Sequence, residues 1–284
     1  MLLKEAADMY QQHLRNIEKS ANTINGYRND LTCFDRWLEE KYNCPAYLDD
    51  ISEKDIEEFL MMLKDEKQYM PASRRRVSIS IRMFFRHAYK KKWCQEDITA
   101  DMETIKVPQK ERSYLTEEEV MIFAAAIKHK LIRFVVLTIF YSGLRVTESV
   151  NLRKEHVNLE TGMITVIQGK GAKDRRIPIS PKLAELVTEY QNWRVDSEYF
   201  FATKKTGRVS KVRIDSVIKQ TLKSLGWNKK VTAHTFRHSF ASRLVTMNVN
   251  IVSISKLMGH ADIKATSVYT HVNMDQLKDA VNVL

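Results

Sequence analysis

Four short stretches hold residue types at spacings that could handle an anion. In Ser142-Gly143-Leu144-Arg145-Val146-Thr147-Glu148 an arginine follows a glycine break, where a helix begins. Arg145 can there face an anion that the helix N-terminus also favours, or it can simply pair with Glu148. Lys170 sits between Gly169 and Gly171, at what reads as a hairpin tip. A turn can push its ammonium into a partner's groove, although lysines in turns are routine. In His234-Thr235-Phe236-Arg237-His238, His234 and Arg237 stand at i and i+3 and share a helix face. An imidazole and a guanidinium pointing together suit phosphate chemistry more than core packing, whereas His238 lies off that face and reads as supporting or buried. Gly259 ends a helix over 251–258, and His260 follows it. Tyr269 lies nine residues further on, in a helix that Asp262 can cap. A lone tyrosine on a helix is more often a core residue than a reactive one.

The elements that must position these residues read as two domains, the natural division for 284 residues when domains run to roughly 100–200. The first hundred residues read as helices: Leu2 to Ile17, Asn22 to Trp37 with Asn22 or Thr23 as cap, and a third opened by Ser52 with acidic residues in its first turn. A fourth runs from Pro71–Ser73 to about Lys91. At about 100° per residue, Arg75, Arg82 and Arg86 fall on one line of it, with Val77, Ile81, Phe84 and Ala88 opposite. Residues 104–113 read as a linker, where Pro108 discourages helix. Thr116 to Glu119 then forms a capping-box pattern for one helix from Glu117 to about Tyr141, broken by Ser142-Gly143 and followed by another through Leu152. Met163 to Gln168 and Arg175 to Ile179 read as strands flanking a basic, glycine-rich tip. Tyr199 to Ala202 reads as a further short strand, and helices return from Val212.

Charge follows this division. The net charge is +11, which points towards an anionic partner. Residues 1–110 hold 19 Lys+Arg against 19 Asp+Glu, so the remainder carries all of the excess. Within the neutral part, ten basic residues between Lys64 and Lys92 face only Asp65 and Glu66. The three cysteines, Cys33, Cys44 and Cys94, lack CxxC spacing, so neither a disulfide framework nor a zinc site is expected. Lys4 and Glu5 interrupt any signal peptide, and the apolar run Phe134 to Tyr141 is too short to span a bilayer. A cytoplasmic, nucleoid-associated protein of bacterial type is expected, with reduced thiols.

Taken in order, Arg145, Lys170, His234 with Arg237, His260 and Tyr269 resemble the signature of the tyrosine recombinase, or phage integrase, family. The surrounding phrases Leu257-Met258-Gly259-His260 and Tyr269-Thr270-His271-Val272 are similar too. The resemblance implies a mainly α protein with a small antiparallel β-sheet in the catalytic domain: a helical N-terminal core-binding domain plus an α+β catalytic domain. With the boundary read at the Pro108 segment, residues 1–105 would be the DNA-clasping domain, 106–113 the linker and 114–284 the catalytic domain. It implies a site-specific DNA recombinase of the simple two-domain type, cutting and rejoining strands through a 3′-phosphotyrosyl link, with Arg145, Lys170, His234, Arg237, His260 and Tyr269 catalytic and Glu148 supporting. It implies no metal and no cofactor. The implied partners are double-stranded DNA with inverted core half-sites, further copies forming a homotetramer on synapsed DNA, and optional accessory DNA or proteins. Lys170 rather than Lys173 matches the catalytic lysine, which leaves Lys173, like Arg75, Arg82 and Arg86, as an inferred DNA contact or a solvated charge. Leu277, Ala280, Val281 and Leu284 form an apolar stripe that could dock on a neighbouring copy or pack in cis. The wording Ala241-Ser242-Arg243-Leu244 and Met247-Asn248-Val249-Asn250 favours a mobile-element role over the alternative, a chromosome-dimer resolving Xer-type enzyme. A type IB topoisomerase and a catalytically silent DNA-binding protein are the remaining alternatives.

Overall fold

The computed structural model describes residues 1–108, 114–167 and 174–259, and the chain divides into two compact units, Met1–Lys110 and Glu111–Leu284. Lys170, Lys173, His260 and Tyr269, with the whole C-terminal stripe, lie outside the described residues.

In the first unit, α1 (Leu3–Asn16), α2 (Ala21–Tyr42), α3 (Glu53–Asp65) and α4 (Pro71–Lys90) surround one apolar core. Leu3, Phe34, Ile56, Phe59, Ile81, Phe84 and Phe85 are fully buried in it, each such side chain contributing about 1.5–3 kcal/mol by leaving water. Local signals set the helix ends. The cap of α2 is Ser20, ahead of the expected Asn22 or Thr23, and its hydroxyl accepts from the Thr23 N–H at 3.1 Å. Ser52 and Asp55 form a full capping box on α3, and Pro71 opens α4, where a missing N–H costs nothing. On α4 the expected division holds: Val77, Ile81, Phe84 and Ala88 are buried, Arg75 and Arg86 are exposed, and Arg82 is partly exposed, donating to the Thr104 hydroxyl at 3.3 Å. Arg76 takes another path, gripping the buried Asp30 with both terminal nitrogens.

The second unit is built on α6 (Lys130–Ser142), which buries residues all round from Phe134 to Phe140, as a helix inside a core must. Around it stand α5 (Glu117–Ala126), α7 (Val146–Asn151), α8 (Pro181–Gln191), α9 (Lys211–Leu225), α10 (Ala233–Thr246) and α11 (Ile251–Met258). The single helix expected from Glu117 to Tyr141 is two, because the chain turns at 127–129. There Arg133 donates from Nη2 to the Ile127 carbonyl at 2.8 Å and to that of Ala125 at 3.4 Å, satisfying the end of α5. Among the described residues an antiparallel sheet runs in the order β1 (Val157–Asn158), β2 (Met163–Val166), β3 (Arg175–Pro178), with Ile164 opposite Ile177. Tyr199, expected in a strand, makes only an isolated bridge to Arg153.

Candidate active site

Two left-handed glycines place the site. Gly143 ends α6 at φ 67°, and its N–H closes the helix on the Ile139 carbonyl at 2.9 Å. A side chain there would meet the Phe240 ring at 2.6 Å. Three residues later α7 starts, with Arg145 at its N-cap and Glu148 at N3. Glu148 reaches back to accept the Arg145 backbone N–H at 2.6 Å and the Arg145 Nη1 at 2.7 Å. Gly259 ends α11 at φ 63°.

Between these glycines three guanidiniums converge on one carboxylate. Besides Arg145, Arg175 from the start of β3 donates to both Glu148 oxygens at 2.8 Å. Arg237 from α10 lies 3.9 Å from Glu148 Oε2. The same three side chains also donate to three consecutive carbonyls at the end of α11: Arg175 Nε to Leu257 at 3.0 Å, Arg237 Nη2 to Met258 at 2.5 Å and Arg145 Nη2 to Gly259 at 2.8 Å. Arg237 further donates to the Gly143 carbonyl. Orphan carbonyls at a helix C-terminus carry partial negative charge, so cations are favoured there. Residues far apart in sequence thus share one knot of charge.

Burial alone would push the Glu148 pKa up. The side-chain hydrogen bond from Arg175, then the backbone hydrogen bond from Arg145 and the Arg175 charge, outweigh it and hold the carboxyl at about 2. Glu148 is therefore ionised at neutral pH, and three guanidiniums against one carboxylate leave the knot positive. Of the three side chains, Arg145 is 33% exposed, while Arg175 and Arg237 are 8% and 4% exposed. An incoming anion meets Arg145 first. A cleft of about 550 Å³ opens beside it, lined also by Glu148, Arg153, His156 and Thr165.

His234, on the first turn of α10, is exposed. Its pKa is lowered, first by partial desolvation and then by the charges of Arg237, Lys211 and Arg145, against the opposing pull of Asp215. It is accordingly neutral at pH 7 and able to accept a proton. Thr232 caps this helix, as expected.

The structure brings together Arg145, Glu148 and Arg237 of the expected set, and it adds Arg175, which the sequence reading passed over. A signal was present. Residues i and i+2 of a strand face the same way, and Ile177 is an obvious core residue. Arg175, rather than its neighbour Arg176, therefore had to point inward.

The fold and the charge knot define a two-unit, mainly helical protein whose second unit gathers three guanidiniums around one carboxylate. Residues 113–276 match the phage integrase family, and residues 7–92 match the phage integrase N-terminal SAM-like domain. The chain belongs to the phage integrase family and is a tyrosine site-specific recombinase. It is 33% identical over 289 residues to tyrosine recombinase XerA of Pyrococcus furiosus, covering 99% of this chain and 94% of that protein. The Tn1549 transposon integrase in complex with a circular intermediate DNA shares the fold at a TM-score of 0.82, with 18% identity and coverage of 98% and 99%. A lambda integrase tetramer bound to a Holliday junction does so at 0.79, with 19% identity and coverage of 96% and 81%. Xer-type and mobile-element relatives thus fit the chain alike, and the sequence-based preference for a mobile-element role gains no support over the Xer alternative.

Proposed function

We propose that Tyr269 is the nucleophile of DNA strand exchange and that Arg145 and Arg237 neutralise the phosphate it attacks. The phenol oxygen attacks phosphorus as the bond to the 5′ oxygen breaks, giving a 3′-phosphotyrosyl link and a free 5′-hydroxyl. A tyrosine with a reference pKa near 10 must lose its proton to react. His234, neutral at pH 7, takes it, and Lys170 gives a proton to the departing 5′ oxygen. His260 adds a hydrogen bond to the non-bridging oxygens, where charge builds in the transition state. A 5′-hydroxyl from a partner strand then attacks the phosphotyrosyl link and releases Tyr269. One phosphodiester bond is exchanged for another, so the step needs no nucleotide.

The observation that carries this reading is the convergence of Arg145 and Arg237 on Glu148 and on adjacent carbonyls of α11, one residue before His260. Planar guanidiniums suit paired phosphate oxygens. The substrate is double-stranded DNA with inverted half-sites, bound by four copies around two synapsed duplexes, an assembly supported by the lambda integrase tetramer on its junction. The boundaries 1–105 and 114–284 then separate a DNA-clasping domain from a catalytic one. Arg75 and Arg86, exposed opposite the buried face of α4, serve with Arg82 and Lys173 as phosphate contacts.

The test is a nicked suicide duplex carrying a binding site selected from random DNA, resolved on a denaturing gel. The wild-type protein should form a covalent adduct with or without EDTA, and Tyr269→Phe should bind the duplex and form none. An adduct from Tyr269→Phe, or a wild-type adduct that disappears with EDTA, contradicts the reading.

A further inference from the structure

Arg175 is the first residue of β3 and follows directly on the stretch that carries Lys170 and Lys173. Its side chain is 8% exposed, and its nitrogens are already engaged within the protein. Each of its hydrogen-bonding nitrogens has a partner within the site: Nη1 and Nη2 hold the two oxygens of Glu148 at 2.8 Å, and Nε holds the Leu257 carbonyl at 3.0 Å. Those two oxygens are the ones that orient Arg145, through its backbone N–H and its Nη1. The end of α11 is packed on the same guanidinium, since a Cβ added at Gly259 would stand 2.9 Å from Arg175 Cδ and Nη1. One side chain therefore joins the sheet, the first turn of α7 and the terminus of α11. A lysine has the charge but not the planar fork needed to do so.

We infer that Arg175 is a positioning residue for strand cleavage, fixing Glu148 and the end of α11 and, through them, the guanidiniums of Arg145 and Arg237. The inference rests on the reading of those two arginines as the phosphate-binding groups. It also changes what Glu148 is for: the carboxylate is the common anchor of three cations, and Arg175 is the one that sets its orientation. Among the described residues, the charged groups facing Glu148 are Arg145 at the start of α7, Arg175 from β3 and Arg237 from α10. Removing Arg175 takes away the leading influence that keeps the carboxyl ionised against its burial. The Glu148 pKa should then rise, which moves the acid limb of cleavage to higher pH.

The experiment compares full-length wild type, Arg175→Lys, Arg175→Gln and Arg145→Ala on the nicked suicide duplex. It records the single-turnover rate of adduct formation at saturating DNA, the Kd for the duplex and the pH dependence of the rate, at a temperature where circular dichroism shows each variant folded. Arg175→Lys keeps the charge and serves where Arg175→Gln is too unstable. Both Arg175 variants should cleave about 100-fold more slowly, the scale expected when supporting groups let reacting groups drift by about an ångström, with Kd within about threefold of wild type. Their acid limb should move to higher pH, and adding Glu148→Gln to Arg175→Gln should abolish that movement. A residue that only stabilised the fold would lower the melting temperature and leave the saturating rate and pH profile in place. Wild-type rate or an unmoved acid limb in the Arg175 variants, beside an inactive Arg145→Ala, overturns this inference alone. Wild-type cleavage by Arg145→Ala overturns the clamp reading and the inference with it.

Discussion

The two units differ in how they bury polar groups: the first pairs its buried carboxylates, Asp30 and Asp55, with one surface cation each, whereas the second gathers three guanidiniums on one carboxylate. The first also hides an uncharged imidazole: His87 on α4 stacks on His13 at a centroid distance of 4.1 Å, leaves its Nε2 without a hydrogen-bond partner and has its pKa lowered to about 4. The second hides charge, with Arg175, Arg237 and Glu148 kept ionised by one another and by the end of α11. Burying a neutral polar atom without a partner costs stability, and burying a charge costs far more unless it is paired. The first arrangement makes a scaffold that can carry an arginine stripe on its surface. The second holds its cations in place, which the proposed phosphate-binding role requires.

This contrast breaks most sharply at Glu148. Glu148→Leu removes the anchor and leaves three guanidiniums facing one another, so denaturant unfolding should show a loss of about 3–5 kcal/mol in the second unit, the range for breaking a buried ion pair. Lys54, whose ion pair with Glu58 on α3 is exposed, should cost much less when changed to Met. Equal losses would mean that the knot is no more than an ordinary pair.

Gly143 and Gly226 share left-handed backbones, φ 67° and 64°, but only Gly143 faces a ring, while nothing lies within 4 Å of a Cβ at Gly226. Gly226→Ala should cost about 1 kcal/mol for the conformation alone. Gly143→Ala should cost about 2–4 kcal/mol, because Phe240 must also move. Calorimetry of the two variants checks the difference, and equal shifts would remove the argument that Phe240 fixes the start of the site.

Acid should separate the units more gently. His87 has a folded pKa below its ordinary value, so its neutral form favours folding. That stability is complete above about pH 6.5 and is lost as pH falls towards 4. Glu148 is also depressed, but its contribution is complete above about pH 4.5 and is lost only towards pH 2. His234 is exposed, so its own lowered pKa is screened and adds little. Hydrogen exchange between pH 6.5 and 4.5 should therefore show the first unit loosening by on the order of 2 kcal/mol, and His87→Phe should flatten that response. Loosening of the second unit first would reverse the assignment.

What could be read in advance follows the same line. The face of α4, the Ser52 and Thr116 caps and the glycine stops at Gly143 and Gly259 were legible, because each depends on a few neighbouring residues and one backbone preference. The order Arg145, Lys170, His234, Arg237, His260, Tyr269 was legible as a family resemblance. The turn at 127–129 was not, since the apolar pattern runs on across it and the stop depends on Arg133 folding back. Nor was the role of Arg175, although strand alternation marked it as inward-facing. Its partners lie 27 and 82 residues away and meet only in the fold.

The most direct test of the shared knot is the rate of adduct formation on the suicide duplex by Arg145→Ala, Arg237→Ala and the double variant. Groups that act as a unit lose their effect together, so the double variant should be about as slow as the slower single one. Losses that multiply, or a single variant that cleaves at the wild-type rate, would show that the two arginines do not work as one.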